Sequence, residues 1–163
     1  MKYIVGDLIS LAKEGYFDVI VHGCNCFCTM GSGIARQIKE SFPKVYLEDK
    51  KTPKGAPGKL GMFSYANIQL ASGKHLTIVN AYTQFMYGYK NQHIQYDAVQ
   101  KVFALILQKF HGKRIGYPKI GAGLGKGDWG IIKNIIDEQL AGEDHTCVVL
   151  QGDNHESILN HSS

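Results

Sequence analysis

The stretch His22–Phe42, "HGCNCFCTMGSGIARQIKESF", gathers many of the side chains in this 163-residue chain that are able to do chemistry. Cys24, Cys26 and Cys28 alternate with other residues, His22 precedes them, and Asn25 stands between the first two. Thiolates so spaced can bind zinc or copper. Structural zinc sites use C-x-x-C spacing, however, and the chain has no second cysteine pair. The fourth cysteine, Cys147, lies in an apolar run, where a thiol behaves as a small hydrophobe. A redox pair also lacks its C-x-x-C, and a Cys24–Cys26 bridge on one face of an extended segment would be badly strained. No metal is expected. Cys24 is expected to fill core space while Cys26 and Cys28 line a loop. His22 has two readings: a hydrogen-bonded core histidine, or an acid/base group at the end of a strand. Asn25 both donates and accepts, which suits a sugar hydroxyl.

The second half of the stretch is a small-residue turn, "GSG", running into a helix. A counterpart, "KIGAGLGKGD", comes late in the chain and also feeds a helix. Glycine lets a backbone approach a ligand closely, and the free N–H groups at a helix start favour anions. One such turn is explained by tight packing alone. Two at equivalent places can hold a diphosphate from both sides. Neither matches G-x-G-x-x-G or the Walker lysine pattern. Asp7 and Asp128 each precede a helix and each reads as its cap. The alternatives are an acceptor for an exocyclic amine at Asp7 and a water-orienting carboxylate at Asp128. Tyr82, Phe85, Tyr87 and Tyr89 form a richer aromatic set than a plain loop needs, and one or more could shape a sugar pocket. Trp129 reads as a loop anchor.

These residues must be positioned by an α/β scaffold. "KYIV", "DVIVHGC", "MFSYANI", "LTIVNAY", "RIGYP" and "TCVVLQ" read as strands, the short apolar runs suiting strands buried on both faces. "GDLISLAKEG" reads as a turn and a short helix. "GIARQIKESF" has helical spacing through Ile34, Ala35, Ile38 and Phe42, with Pro43 just after its end. "YDAVQKVFALILQKF" and "WGIIKNIIDEQL" are the other helices. Lys50–Gly61, rich in Lys, Gly and Pro, reads as an exposed loop, and "ASGK" as a hairpin connection. Strands alternating with helices around one hairpin predict a three-layer α/β/α fold with a central mixed sheet, in a single domain over residues 1–163. In such sheets ligands bind beyond the carboxyl ends of the strands, where both glycine-rich loops and "GDL" emerge.

Composition bounds the rest. Hydrophobic residues are 44% and charged residues 20%, as in a globular protein. No apolar run approaches the roughly 20 residues of a membrane span, and the N-terminus lacks a signal peptide's pattern. A cytoplasmic protein without membrane contact is expected, with its thiols reduced. A net charge of +4 with scattered lysines and arginines does not imply nucleic acid. A dehydrogenase is disfavoured because "GDL", not the dinucleotide glycine fingerprint, follows the first strand.

Taken together, "GDL", "VIVHGCNCFCTMGSGIARQI" and "YPKIGAGLGKGDW" resemble the macrodomains, over essentially the whole chain and in the family's order. The resemblance implies binding of ADP-ribose; a monomer without a cofactor is expected, with nucleic acid entering only as an ADP-ribosylated substrate. It implies that Asp7 accepts from the adenine amine with Leu8 alongside, and that Asn25 contacts the distal ribose. Gly31, Ser32, Gly33 and Ile34 would form the first diphosphate loop, and Gly121, Ala122, Gly123, Leu124 and Gly125 the second. The cysteines are then passengers. "HGCNC" followed by "MGSGIA" is similar to the branch holding ADP-ribose 1''-phosphate phosphatases and the terminal ADP-ribose glycohydrolase. In those phosphatases a histidine precedes C-N-C, as His22 does. The glycohydrolase lysine is replaced here by Gln84, and its aspartate by Gly125. The implied activity is therefore removal of the terminal phosphate of ADP-ribose 1''-phosphate, with His22, Asn25 and Asp128 as catalytic candidates. Release of ADP-ribose from modified protein or nucleic acid, and binding of ADP-ribose without turnover, are the rivals.

Overall fold

The computed structural model describes residues 1–88 and 93–152; Tyr89 lies outside them. Six strands form one sheet: β1 (Lys2–Val5), β2 (Val19–Cys24), β3 (Phe63–Gln69), β4 (His75–Tyr82), β5 (Ile115–Tyr117) and β6 (His145–Val149). Their spatial order is β1-β6-β5-β2-β4-β3. All neighbours are parallel except the edge strand β3, which pairs antiparallel with β4 across a tight connection. The sheet is thus mixed, as expected.

Alternation along the strands builds the two cores. Val19 and Val21 of β2, with Val79 and Ala81 of β4, face the layer made by α4 (Tyr96–Phe110) and α5 (Trp129–Gln139). Val99, Val102, Phe103 and Ile106 supply the α4 stripe, and Ile132 and Ile136 that of α5. Ile20 and Ile78, the intervening residues, face the opposite layer of α1 (Leu8–Lys13), α2 (Gly33–Ser41) and α3 (Pro43–Lys50). Ile9, Ala12, Ile38 and Val45 complete that core.

Two elements differ from the sequence reading. Pro43 ends α2 and also starts α3, because a proline at the first helical position loses no hydrogen bond. The Lys50–Gly61 segment is not wholly exposed. A 3₁₀ turn at Pro57–Lys59 tucks Lys59 inside, where Nζ donates to the Cys26 carbonyl at 3.1 Å and lies 4.6 Å from the Tyr82 ring centroid.

Candidate functional site

β2 leaves the sheet at Cys24 between β5 and β4, where connections run to opposite sides. Such a switch point opens a crevice beyond the strand ends. The crevice here is a cleft of about 540 Å³, a size suited to a nucleotide-like ligand. One wall is the loop into α2. Gly33 has φ +59°, a left-handed conformation that glycine adopts cheaply, and this turn leaves the first N–H groups of α2 without helical partners. The facing wall is the loop after β5. Gly121 has φ +76°, and the Gly127 N–H closes the loop by donating to its carbonyl at 2.7 Å. The N–H groups of His93 and Ile94 donate to the Gly125 carbonyl at 3.0 and 3.2 Å. Gly125 is buried, and a Cβ there would lie 2.9 Å from the Gly121 oxygen, closer than a side chain can sit. Two glycine loops thus face one cleft.

Asn25 lies between them at the end of β2. Its Oδ1 accepts from the Phe27 N–H at 2.8 Å, and its Nδ2 donates to Thr29 Oγ1 at 2.7 Å. The side chain is therefore held in one orientation on the cleft wall. Gly31, Ser32, Gly33, Ile34, Gly121, Gly123, Leu124 and Gly125 also line the cleft, so most of the expected ligand residues come together. Ala122 lies in the second loop but not on the wall. Asp7 and Leu8 lie at the end of the edge strand β1, separated from β5 by β6, and do not line the cleft. Asp7 caps α1, accepting from the Ile9 N–H at 3.1 Å, and Leu8 is buried in the α1–α3 core.

His22 and Asp128, the other two catalytic candidates, lie off the cleft wall. His22 is completely buried and does not line the cleft. Its Nε2 and Asn80 Oδ1 are 2.6 Å apart; since Asn80 Nδ2 donates to the Val45 carbonyl, Oδ1 is the acceptor and Nε2 carries the proton. Burial lowers the His22 pKa to about 4, the Asn80 hydrogen bond opposing it. Of the groups His22 touches, Cys24 lines the cleft, with Sγ 3.6 Å from Nε2. His22 is the hydrogen-bonded core histidine of the two readings. Asp128 is the N-cap of α5, Oδ1 accepting from the Gly130 N–H at 2.8 Å, and it too lies off the cleft wall.

The cysteines are unbridged. Cys26 is as buried as Cys24, contrary to the expectation that it lines a loop, because Lys59, Tyr82 and Phe85 close over it. Burial pushes the Cys24 thiol well up, and Asp49 adds to the effect. Among the described residues no three His, Cys, Asp or Glu side chains converge as a metal-binding group. Of the aromatic set, Tyr87 is exposed on the cleft rim and packs edge-on against Phe27, 5.9 Å between centroids. Tyr82 is buried behind the wall. Trp129 starts α5, with Nε1 3.3 Å from Tyr3 OH.

The cleft also contains residues that the sequence did not single out. Thr83 and Asp49 line it, both are about 1% exposed, and each keeps a side-chain oxygen without a hydrogen-bond partner among the described residues. Asp49 sits in "PKVYLEDK", whose charges look like a solvated face, so nothing local marked it.

The Macro domain family model matches residues 21–136. A 17.5 kDa protein of Enterobacteria phage T4 is 41% identical over 143 residues, 84% of this chain and 88% of that one. A DNA ADP-ribosyl glycohydrolase of Mycobacterium tuberculosis is 28% identical over 79% of this chain, which spans only 35% of that protein. An ADP-ribose 1''-phosphate phosphatase of Meyerozyma guilliermondii is 38% identical over 65 residues, 37% of each chain. Among solved structures, a protein of unknown function from Bacteroides thetaiotaomicron superposes with a TM-score of 0.72 at 26% identity, covering 91% of this chain and 97% of that one. Thermosipho africanus DarTG, solved in complex with ADP-ribose, shares the fold with a TM-score of 0.71 at 18% identity, covering 93% of this chain and 42% of that one. With more than half its length matched by that model, this chain belongs to the macrodomain family.

Proposed function

We propose that the protein binds ADP-ribose across the two glycine loops and hydrolyses ADP-ribose 1''-phosphate to ADP-ribose and inorganic phosphate. The observation that carries this is the pair of backbone-amide loops, Gly31–Ile34 and Gly121–Gly125, facing each other over one cleft with Asn25 fixed between them. Backbone N–H groups at the α2 start take the diphosphate charge and stabilise the extra charge that develops during phosphoryl transfer. Asn25 meets the distal ribose. Asp7, whose carboxylate is exposed at the strand-end face, takes the adenine amine with Leu8 beneath it. His22 holds the end of β2 to β4 through Asn80 and acts by position. The relative named as a phosphatase supports the reaction over the part of the chain it matches.

The second reading is release of ADP-ribose from a modified macromolecule. It is favoured by the longer match to the DNA ADP-ribosyl glycohydrolase and by the exposed Tyr87 and Leu124 at the rim. The test is phosphate release from ADP-ribose 1''-phosphate, with ADP-ribose titrated by calorimetry on the same sample. Binding with release is the expected outcome. Binding with turnover only of ADP-ribosylated DNA or protein selects the second reading, and binding with no turnover selects a reader.

A further inference from the structure

We propose that Asp49 is the general acid of the cleft, passing its carboxyl proton to the sugar oxygen that leaves when the 1''-phosphate is cleaved. This rests on the phosphatase reading above. α3 carries Asp49 among charges that all face outward, yet Asp49 itself points in and is 1% exposed. One oxygen is held, since Tyr82 OH donates to Oδ1 at 2.7 Å, with Ser64 Oγ 2.8 Å from the same hydroxyl. The other, Oδ2, is buried without a partner among the described residues, on a residue that lines the cleft. Thr83 Oγ1 is a second such atom on the β4 side of the same cleft. Two buried, unpartnered polar atoms on one wall mark where ligand groups must satisfy them. The two carboxyl and imidazole groups that could compete, Asp128 and His22, are off the wall.

Burial, rather than the groups around it, favours the protonated form of Asp49. Tyr82 faces it from β4, Lys59 from the 3₁₀ turn, Cys24 from β2, and Cys26 and Cys28 from the following loop. Burial raises its pKa, with the Tyr82 hydrogen bond and the Lys59 charge opposing. A bound phosphate monoester adds like charge and raises it further. In the step itself, a water oxygen bonds to phosphorus while the bond from phosphorus to the 1'' oxygen breaks. The Asp49 proton goes to that oxygen, giving the free hydroxyl of ADP-ribose. Both protons of the water stay on the phosphate, which leaves as dihydrogen phosphate, and the Asp49 carboxylate is reprotonated from solvent.

Asp49→Asn keeps the shape and the acceptor for Tyr82 while removing the proton. It should leave ADP-ribose affinity within about 3-fold, lower phosphate release about 100-fold or more, and abolish the fall of kcat at high pH. Tyr82→Phe removes a hydrogen bond that lowers the Asp49 pKa, so it should move that fall to higher pH. Undiminished release by Asp49→Asn from an active wild type overturns the role of Asp49 alone, as does a loss of ADP-ribose binding as large as the loss of rate. If wild type binds ADP-ribose but releases no phosphate, the phosphatase reading fails and this role falls with it. If Asp49→Asn does not fold, judged by its melting curve, the Tyr82→Phe profile decides: an unmoved alkaline limb overturns the proposal.

Discussion

The imidazole of His22 gives up its proton more readily than one in water, because burial strips the solvation that an imidazolium needs and the Asn80 hydrogen bond restores only part of it. Its pKa of about 4 in the fold lies below the ordinary 6.5 that unfolding restores. The unfolded chain therefore takes up this proton first as pH drops. The stability due to the neutral ring is complete above about pH 6.5 and is lost progressively toward pH 4, by roughly 3 kcal/mol. His22→Gln keeps an amide donor for Asn80 and removes the titration. Its urea midpoint should fall less between pH 7 and pH 4 than that of wild type, and its phosphate release should stay within about 5-fold. A loss of several hundred-fold would restore His22 to the chemistry. Composition could not choose between the two readings of this residue, because whether a strand-end histidine meets solvent depends on what packs over it.

At the scale of elements, the loops and the helices they feed carry the ligand contacts. Gly33→Ala puts a Cβ on a residue with φ +59°, at a cost of about 1–2 kcal/mol, while nothing but Leu124 Cδ1 lies near it, at 3.8 Å. The expected result is a folded protein with weaker ADP-ribose binding, seen by calorimetry. Gly121→Ala differs, because its Cβ would fall 2.5 Å from Ile94 Cδ1 in addition to the φ of +76°. Overpacking there should cost about 1–3 kcal/mol beyond the backbone strain, measured by chemical denaturation. The strands, the long helices and the Asp128 cap were legible because each follows from local periodicity or a capping side chain. The α3 helix was not, since it has only a weak apolar pattern and is held by the sheet: Asn80 Nδ2 donates to the Val45 carbonyl and Tyr82 OH to Asp49.

For the whole molecule, a ligand that binds only the folded state adds stability by mass action. ADP-ribose at about 100 times its Kd should contribute about 2.7 kcal/mol and raise the melting temperature by about 5–10 °C. In a protein that works as a monomer that melting temperature should not change with protein concentration, and scans over a 100-fold range check it. Asp49→Asn should show the same ADP-ribose-induced rise, since it leaves binding in place.

The sequence by itself determined the alternation of strands and helices, both glycine loops, the Asn25 position and the family resemblance, because each is written in neighbours along the chain. Only the tertiary structure decided that His22 lies buried against Asn80, that Asp128 lies off the cleft wall at the start of α5, that Asp7 and Leu8 stand apart from that wall, and that Lys59 is buried. It also brought Asp49 to the cleft from a helix whose charges look solvated. Burial is set by elements that meet across the sheet, and burial decides which polar groups keep their protons and which remain free to meet a ligand.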